Sequence, residues 1–382
     1  MTIDVTAPVA YRHCYIHVPF CARRCTYCDF AIAVRKVVPW REYADALAAE
    51  WSARDIGSQT TLDTLYFGGG TPSILGVDGV QHVMNWARQV AHLSAGAEVT
   101  LEANPEDITT GSVAAWHKAG INRLSIGVQS FDDSVLRWMH RVHDAGAAAR
   151  AAQVARDGGI PAFSLDLIFA LPASLNRDWR RDLDIALSLT PDHISLYGLT
   201  VEPHTPLGRL EARGEVSAAP EEQYEEQFLA ANERLTDAGY EHYEVSNFAM
   251  PGKRAVHNSA YWSGAPYLGL GPSAHGFSGA ARRWNEPVYA RWLEAALAGN
   301  DPLSGSETLD AGNRLTEQVY LGLRTRDGLP VGPADAPLVD QWLGVGWVEQ
   351  VAASGSQRVR CTTLGWLRLD GLASALTALR SH

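Results

Sequence analysis

The chain reads as an α/β protein, a partial (β/α)6 TIM-like barrel followed by a smaller α+β domain. Three observations predict this. Between residue 12 and about residue 200, short apolar runs alternate with helix-compatible stretches, the pattern of βα units feeding a parallel sheet. The polar motifs fall where those runs end, which is where such folds keep their working residues. From about residue 300 the order changes to helix, helix, hairpin and helix.

Strands are expected at 12–19, 63–68, 97–103, 123–129, 163–169 and 193–200, with right-handed crossovers curling them into an open or closed barrel. In the first, alternation puts Tyr15 and His17 on one face and Cys14, Ile16 and Val18 on the other, which should meet the helices. Cys14 and the distant Cys361 are then small core residues.

Cys21-Ala-Arg-Arg-Cys25-Thr-Tyr-Cys28 follows directly on the first strand. Three thiolates at this spacing can hold three irons of a four-iron cluster and leave the fourth iron open. A zinc site completed by His17 or Cys14, or a Cys25/Cys28 dithiol, would use the same residues differently. A disulfide framework is the weakest reading, because five cysteines in 382 residues are too few and odd in number.

Gly68-Gly69-Gly70-Thr71-Pro72-Ser73 follows the second strand. Its glycines let the backbone approach a ligand closely, or simply make a tight turn. Glu102-Ala-Asn-Pro-Glu106 ends the third strand, Gln129 the fourth, and Asp166 belongs to the fifth. Each alone has a plainer role as a cap, a surface ion pair or a strand end.

Beyond residue 200 a charged helix, Glu221 to Asp237, leads into Tyr240-Glu-His-Tyr-Glu-Val-Ser-Asn-Phe248, expected as a strand extending the sheet. His257-Asn258-Ser-Ala-Tyr261-Trp262 follows. Residues 269–274 satisfy GxGxxA, but Pro272 interrupts them and no βαβ context follows, so no dinucleotide site is expected. Helices at 307–323 and 335–343, a hairpin near 347–363 and a helix at 369–379 resemble a winged helix. Residues 300–382 hold 7 Arg or Lys against 9 Asp or Glu, so the basic footprint of a DNA reader is missing and a lid or docking role is expected. The domains are therefore expected at 1–205, 206–299 and 300–382.

The formal charge is −11, from 43 acidic and 32 basic residues, which opposes nucleic-acid binding. No apolar run approaches the length of a membrane span, and Met1-Thr-Ile-Asp-Val-Thr-Ala-Pro8 lacks the marks of a leader, so a cytoplasmic protein is expected. Arg23, Arg24, Arg35 and Lys36 bracket the cysteines. They form either a solvated face or a patch steering an acidic electron donor, such as flavodoxin or ferredoxin, towards a cluster.

Taken together, Tyr15-Ile-His-Val-Pro-Phe-Cys21, the Cx3Cx2C set, GGGTPS at 68–73, Glu102-Ala-Asn-Pro, Gly127-Val-Gln129-Ser-Phe, His140-Arg141-Val-His143, Asp166-Leu-Ile and His257-Asn-Ser-Ala-Tyr-Trp262 resemble one family in order and over nearly the whole chain. It is the coproporphyrinogen-oxidase-like branch of the radical S-adenosylmethionine (SAM) superfamily. The resemblance implies a [4Fe-4S] cluster on Cys21, Cys25 and Cys28, and SAM held by Tyr15, Gly69, Gly70, Thr71, Glu102, Gln129, Arg141 and Asp166. The chemistry agrees: Glu102 and Asp166 can accept ribose hydroxyl hydrogen bonds, and Arg141 can pair with the methionyl carboxylate.

Two departures point away from the branch's enzyme, the oxygen-independent coproporphyrinogen III dehydrogenase. Phe30 stands where that enzyme's motif continues to a further cysteine, and only twenty residues precede Cys21. Both point to the haem-binding chaperone group, which implies uptake of haem and delivery to an acceptor haemoprotein. The resemblance associates the motif that begins at His257 with haem; from the residues alone His257 is either an axial imidazole beside Tyr261 and Trp262 or a structural histidine, and His204 and His275 are the alternative haem residues. The dehydrogenase, a related radical SAM methyltransferase and a redox or iron sensor are the rival readings. A homodimer is compatible with the sequence and not required by it.

Overall fold

A computed structural model of the chain describes residues 9–57, 60–351 and 357–381; Met1–Pro8 and the tip of the expected hairpin at 352–356 lie outside the described residues. The six expected strands are β1 (His13–Val18), β2 (Thr61–Gly69), β3 (His92–Ala103), β4 (Arg123–Gln129), β5 (Ala162–Phe169) and β6 (His193–Gly198). They pair in parallel in that order. Their outer faces are apolar: Cys14, Ile16 and Val18 of β1, Leu65 and Phe67 of β2, Leu124 and Ile126 of β4 are all buried. Against them the helix Trp40–Ala53 presents Tyr43, Leu47 and Trp51, and the helix Gly76–Val90 presents Val80, Val83 and Met84, spacings that form one helical stripe. Each such side chain taken from water contributes about 1.5–3 kcal/mol. This layer fixes the strands so that the opposite face can carry polar groups.

The sheet is longer than six strands. β7 (Glu241–Glu244) and β8 (Asn247–Ala249) extend it beyond β6; β9 (Tyr267–Leu270), β10 (His275–Phe277), β11 (Ala281–Asn285) and β12 (Leu303–Thr308) extend it beyond β1. In hydrogen-bond order it runs β12-β11-β10-β9-β1-β2-β3-β4-β5-β6-β8-β7 and is open. Residues 240–248, expected as one strand, form the antiparallel pair β7 and β8 instead. Glu244 causes the turn: its carboxylate accepts from the Ser246 backbone N–H at 3.1 Å and from the Asn247 side chain.

β9 is a further parallel strand, paired with β1 from His13↔Tyr267 to Ile16↔Leu270. Its last two residues, Gly269 and Leu270, begin the GxGxxA stretch, whose glycines serve the fold. A Cβ on Gly271, at φ +93°, would stand 2.5 Å from the His17 carbonyl oxygen, so only glycine lets the chain pass β1 here.

The described residues between 309 and 381 add no strand to this sheet. The helix Ala311–Arg324, β13 (Leu329–Pro330), the helix Ala336–Gly344, β14 (Val348–Val351), β15 (Arg358–Cys361) and the helix Leu369–Arg380 follow in the winged-helix-like order, with sheet order β13-β15-β14. No helix among the described residues is long and apolar enough to cross a membrane.

Candidate functional site

The C-terminal ends of β1 to β6 surround a cavity of about 490 Å3. Cys21, Cys25, Cys28, Gly69, Gly70, Thr71, Glu102, Gln129, Arg141 and Asp166 all line it. Residues from five separate strand ends meet there.

The cysteine loop is pinned at both ends by backbone. Phe20–Cys21 pairs with Ala33–Val34, the Arg35 N–H donates to the Cys21 carbonyl at 3.0 Å, and the Thr26 N–H donates to the Met139 carbonyl at 3.3 Å. Gly70 allows the second loop to close on the first: a Cβ there would lie 2.7 Å from the Phe20 carbonyl oxygen and 2.9 Å from Cys21 Sγ. Next to it Thr71 Oγ1 donates to Cys21 Sγ at 3.4 Å.

Arg141 is clamped. Its Nη2 donates to Asn104 Oδ1 and to the Gly127 carbonyl, both at 2.7 Å, which aims Nη1 at Cys25 Sγ, 3.7 Å away. Its Nε is buried without a partner. On β3, Glu102 accepts from Tyr66 Oη at 2.8 Å and from the Gly69 N–H at 3.1 Å. On β5, Asp166 Oδ2 accepts from Ser125 Oγ at 2.8 Å, while Oδ1 is buried and unpartnered. Burial pushes Glu102 up to about 7, with Asp166 adding repulsion, and burial pushes Asp166 up to about 6. Gln129 ends β4 at φ +69°, a strained backbone of the kind that gathers at working sites.

These features meet the demands of the implied groups. Three free thiols on one wall suit a multi-iron cluster with one open iron. The orphaned Asp166 Oδ1 is an acceptor and the orphaned Arg141 Nε a donor, so a ligand carrying both hydroxyl and carboxylate groups would satisfy them. Zinc fits less well. His17 has both ring nitrogens engaged, with Tyr15 Oη at 3.1 Å and the Ala31 carbonyl at 3.0 Å, and Cys14 faces the helices on the other side of β1. Among the described residues no set of His, Cys, Asp or Glu closes round a single metal ion.

Two of the expected residues stand elsewhere. Tyr15 sits behind the cavity wall, stacked on Tyr66 with ring centroids 6.0 Å apart, and lines a smaller neighbouring cavity. His257 is only 1% exposed. Its Nδ1 is 2.7 Å from Thr64 Oγ1 and its Nε2 is 2.8 Å from Tyr261 Oη, and the ring stacks on Tyr66 at 4.9 Å. Burial pushes its pKa down to about 3. The expected role as axial haem ligand does not fit this arrangement, because neither ring nitrogen is open to an iron.

Sequence reading passed over Tyr66, Asn104, Ser125, Ser164, Ser195 and His193, which also line the cavity. The signal was present for the three serines: each occupies an inward position of a parallel strand, where a small hydroxyl amid Val, Leu and Ile is out of pattern.

The family model described as the radical SAM superfamily matches residues 15–186. The heme chaperone HemW of Synechocystis is 36% identical over 337 residues, covering 86% of this chain and 81% of that one. The heme chaperone HemW of Mycobacterium tuberculosis is 37% identical over 327 residues, covering 83% and 82%. Among solved structures, the coproporphyrinogen III oxidase of Escherichia coli, a radical SAM enzyme, superposes with a TM-score of 0.79 at 22% identity, over 98% of this chain and 91% of that one; at this identity the likeness is one of fold. With relatives this similar over four-fifths of their length, and the three cysteines inside the matched segment, the chain belongs to the radical SAM superfamily, in the HemW group of its coproporphyrinogen-oxidase-like branch.

Proposed function

We propose that this chain is a haem chaperone, which carries a SAM-bound [4Fe-4S] cluster, takes up haem and delivers it to acceptor haemoproteins. The observation that carries the reading is the similarity over more than four-fifths of the chain to proteins named heme chaperone HemW. In this reading Cys21, Cys25 and Cys28 hold the cluster. When bound, the cluster and SAM supply one-electron chemistry.

The chain's own residues position those groups. Arg141, fixed by Asn104 and Gly127, pairs with the methionyl carboxylate. Glu102 and Asp166 accept hydrogen bonds from ribose hydroxyls, Gln129 frames the same wall, and Gly69 and Gly70 leave the backbone open to the amino group. Thr71 orients the Cys21 sulfur, and Tyr15 backs the site through Tyr66. The reading includes a cytoplasmic setting and the division into 1–205, 206–299 and 300–382. It also includes flavodoxin or ferredoxin as electron donor, facing the exposed Arg23, Arg24, Arg35 and Lys36.

The test separates carrier from enzyme. Anaerobic protein with a reconstituted cluster is given SAM, a strong reductant and coproporphyrinogen III, and porphyrin products are counted per chain. The reading expects no turnover in a preparation that binds SAM. Multiple turnovers to protoporphyrinogen would make the chain a dehydrogenase.

A further inference from the structure

We propose that haem docks across the mouth of the cluster cavity, against Phe30, Val142 and Tyr197, with the His140 imidazole as its axial ligand. This inference rests on the haem-chaperone reading and assigns its cargo a site.

The first observation is an apolar rim in water. Phe30 is 58% exposed and Val142 50%, Tyr197 opens 46% of its surface but is enclosed enough that burial raises its pKa, and all three line the cavity that holds the three cysteines. Large apolar side chains gathered on one rim mark a surface that is covered in use. A macrocycle with two faces of apolar surface and carboxylates at one edge suits it. Arg23 stands on the same rim and Arg24 beside it, both exposed, as partners for those carboxylates.

The second observation is His140 itself. It lines the same cavity, its side chain is exposed, and its backbone is left-handed at φ +59°. It ends the helix Asp133–Trp138, with its N–H on the Arg137 carbonyl at 3.1 Å and the next N–H on the Leu136 carbonyl at 2.9 Å. That capping position ordinarily takes glycine or asparagine, so a histidine there costs conformational energy that the fold does not explain. What the residue gains is an imidazole presented to the cavity mouth.

The third observation concerns two other places, the His257 motif and a second cleft. His257 is buried and has both nitrogens engaged. A second cleft of about 450 Å3, between Trp262, Phe277 and Leu329 with Arg254, Arg314 and Arg358, has apolar walls and cations but no histidine or cysteine to ligate iron. Its Tyr243 hydroxyl is taken by His193 Nε2 at 2.8 Å. Size favours the rim: a cavity of about 490 Å3 is that of one drug-sized ligand, and in the haem-chaperone reading it already serves SAM and the cluster.

The experiment titrates the full chain with ferric haem, read by its main absorbance band and by electron paramagnetic resonance. His140→Asn keeps a residue that tolerates the left-handed backbone. It is expected to weaken haem binding by about tenfold or more and to lose the nitrogen-ligand signature, with millimolar imidazole restoring that signature. Phe30→Asp is expected to weaken binding while the nitrogen signature stays. Wild-type affinity and spectrum in His140→Asn, with loss in His257→Ala, would overturn this site and leave the chaperone reading intact. A wild-type chain that binds no haem at one equivalent would overturn the chaperone reading itself.

Discussion

Asp335 is buried and Asp166 is half-buried in the cavity wall, and the molecule treats the two carboxylates in opposite ways. In the C-terminal region Asp335 accepts from Arg380 Nε at 2.9 Å and Nη2 at 2.7 Å, and these bonds hold it below the usual carboxylate range. In the lumen of the main sheet Asp166 has one oxygen on Ser125 and one on nothing, and burial pushes it up to about 6. Around it Thr100 Oγ1, His193 Nδ1 and Arg141 Nε are likewise buried without partners. The C-terminal region is not free of such atoms, since Thr377 Oγ1 and Arg324 Nε are orphans too, but these are scattered whereas the lumen's face one cavity. The difference teaches where a ligand belongs: orphaned polar atoms that converge on one cavity can be satisfied together by one bound group, and scattered ones cannot.

The comparison can be broken most forcefully at the cysteines. Serine at Cys21, Cys25 or Cys28 is expected to abolish nearly all cluster absorbance and iron after anaerobic reconstitution. Alanine at the buried Cys361 should lower stability by about 1–2 kcal/mol with the cluster retained. Equal iron in all four variants would remove the cluster assignment.

Next in size is Arg141→Gln, expected to weaken SAM binding about a hundredfold by calorimetry, or about 2.7 kcal/mol. Arg380→Ala should leave SAM affinity unchanged and lower stability by about 1–2 kcal/mol, because its bonds to Asp335 complete the C-terminal fold only.

The two aspartates and Glu102 also predict pH dependence. Glu102 and Asp166 have raised pKa values, so the folded chain holds protons that the unfolded chain has released between about pH 4 and 7. Ligand-free stability due to them is full below that window and declines as pH rises through it. Asp335, held low, acts the other way: its contribution is present above its ordinary pKa and is lost in acid. Melting curves of Glu102→Gln should therefore show a higher midpoint than wild type at about pH 8, together with weaker SAM binding. A lower midpoint there would mean that the charge is already compensated in the ligand-free lumen.

The smallest effect is on the surface. Charge reversal at Arg23 and Arg24 should slow cluster reduction by flavodoxin a few-fold at low salt and little at high salt, since exposed charges steer encounter and are screened.

Much of this was legible in the sequence because periodicity and strand ends are local signals. The six parallel strands and the charged helix Glu221–Asp237 stand where alternation put them, and the cavity gathers motifs that lie up to 145 residues apart, from Cys21 to Asp166. What escaped depends on distant partners. β9 is a strand because β1 offers it an edge more than 200 residues upstream, and its glycines hid that. Glu244 bends 240–248 into a hairpin through its side chain, which alternation does not register. His257 looked free because Thr64, its partner on β2, is 193 positions away.

The measurement that tests the central claim most directly is haem transfer. Haem-loaded chain, with its cluster reconstituted and SAM present, is mixed anaerobically with an apo-haemoprotein, and the acceptor's haem spectrum is followed. The account predicts that haem passes from the chain to the acceptor without porphyrin turnover, and that transfer changes when Cys21, Cys25 and Cys28 are replaced by Ser. Haem that stays on the chain, or transfer no different from that of free haem, would contradict it.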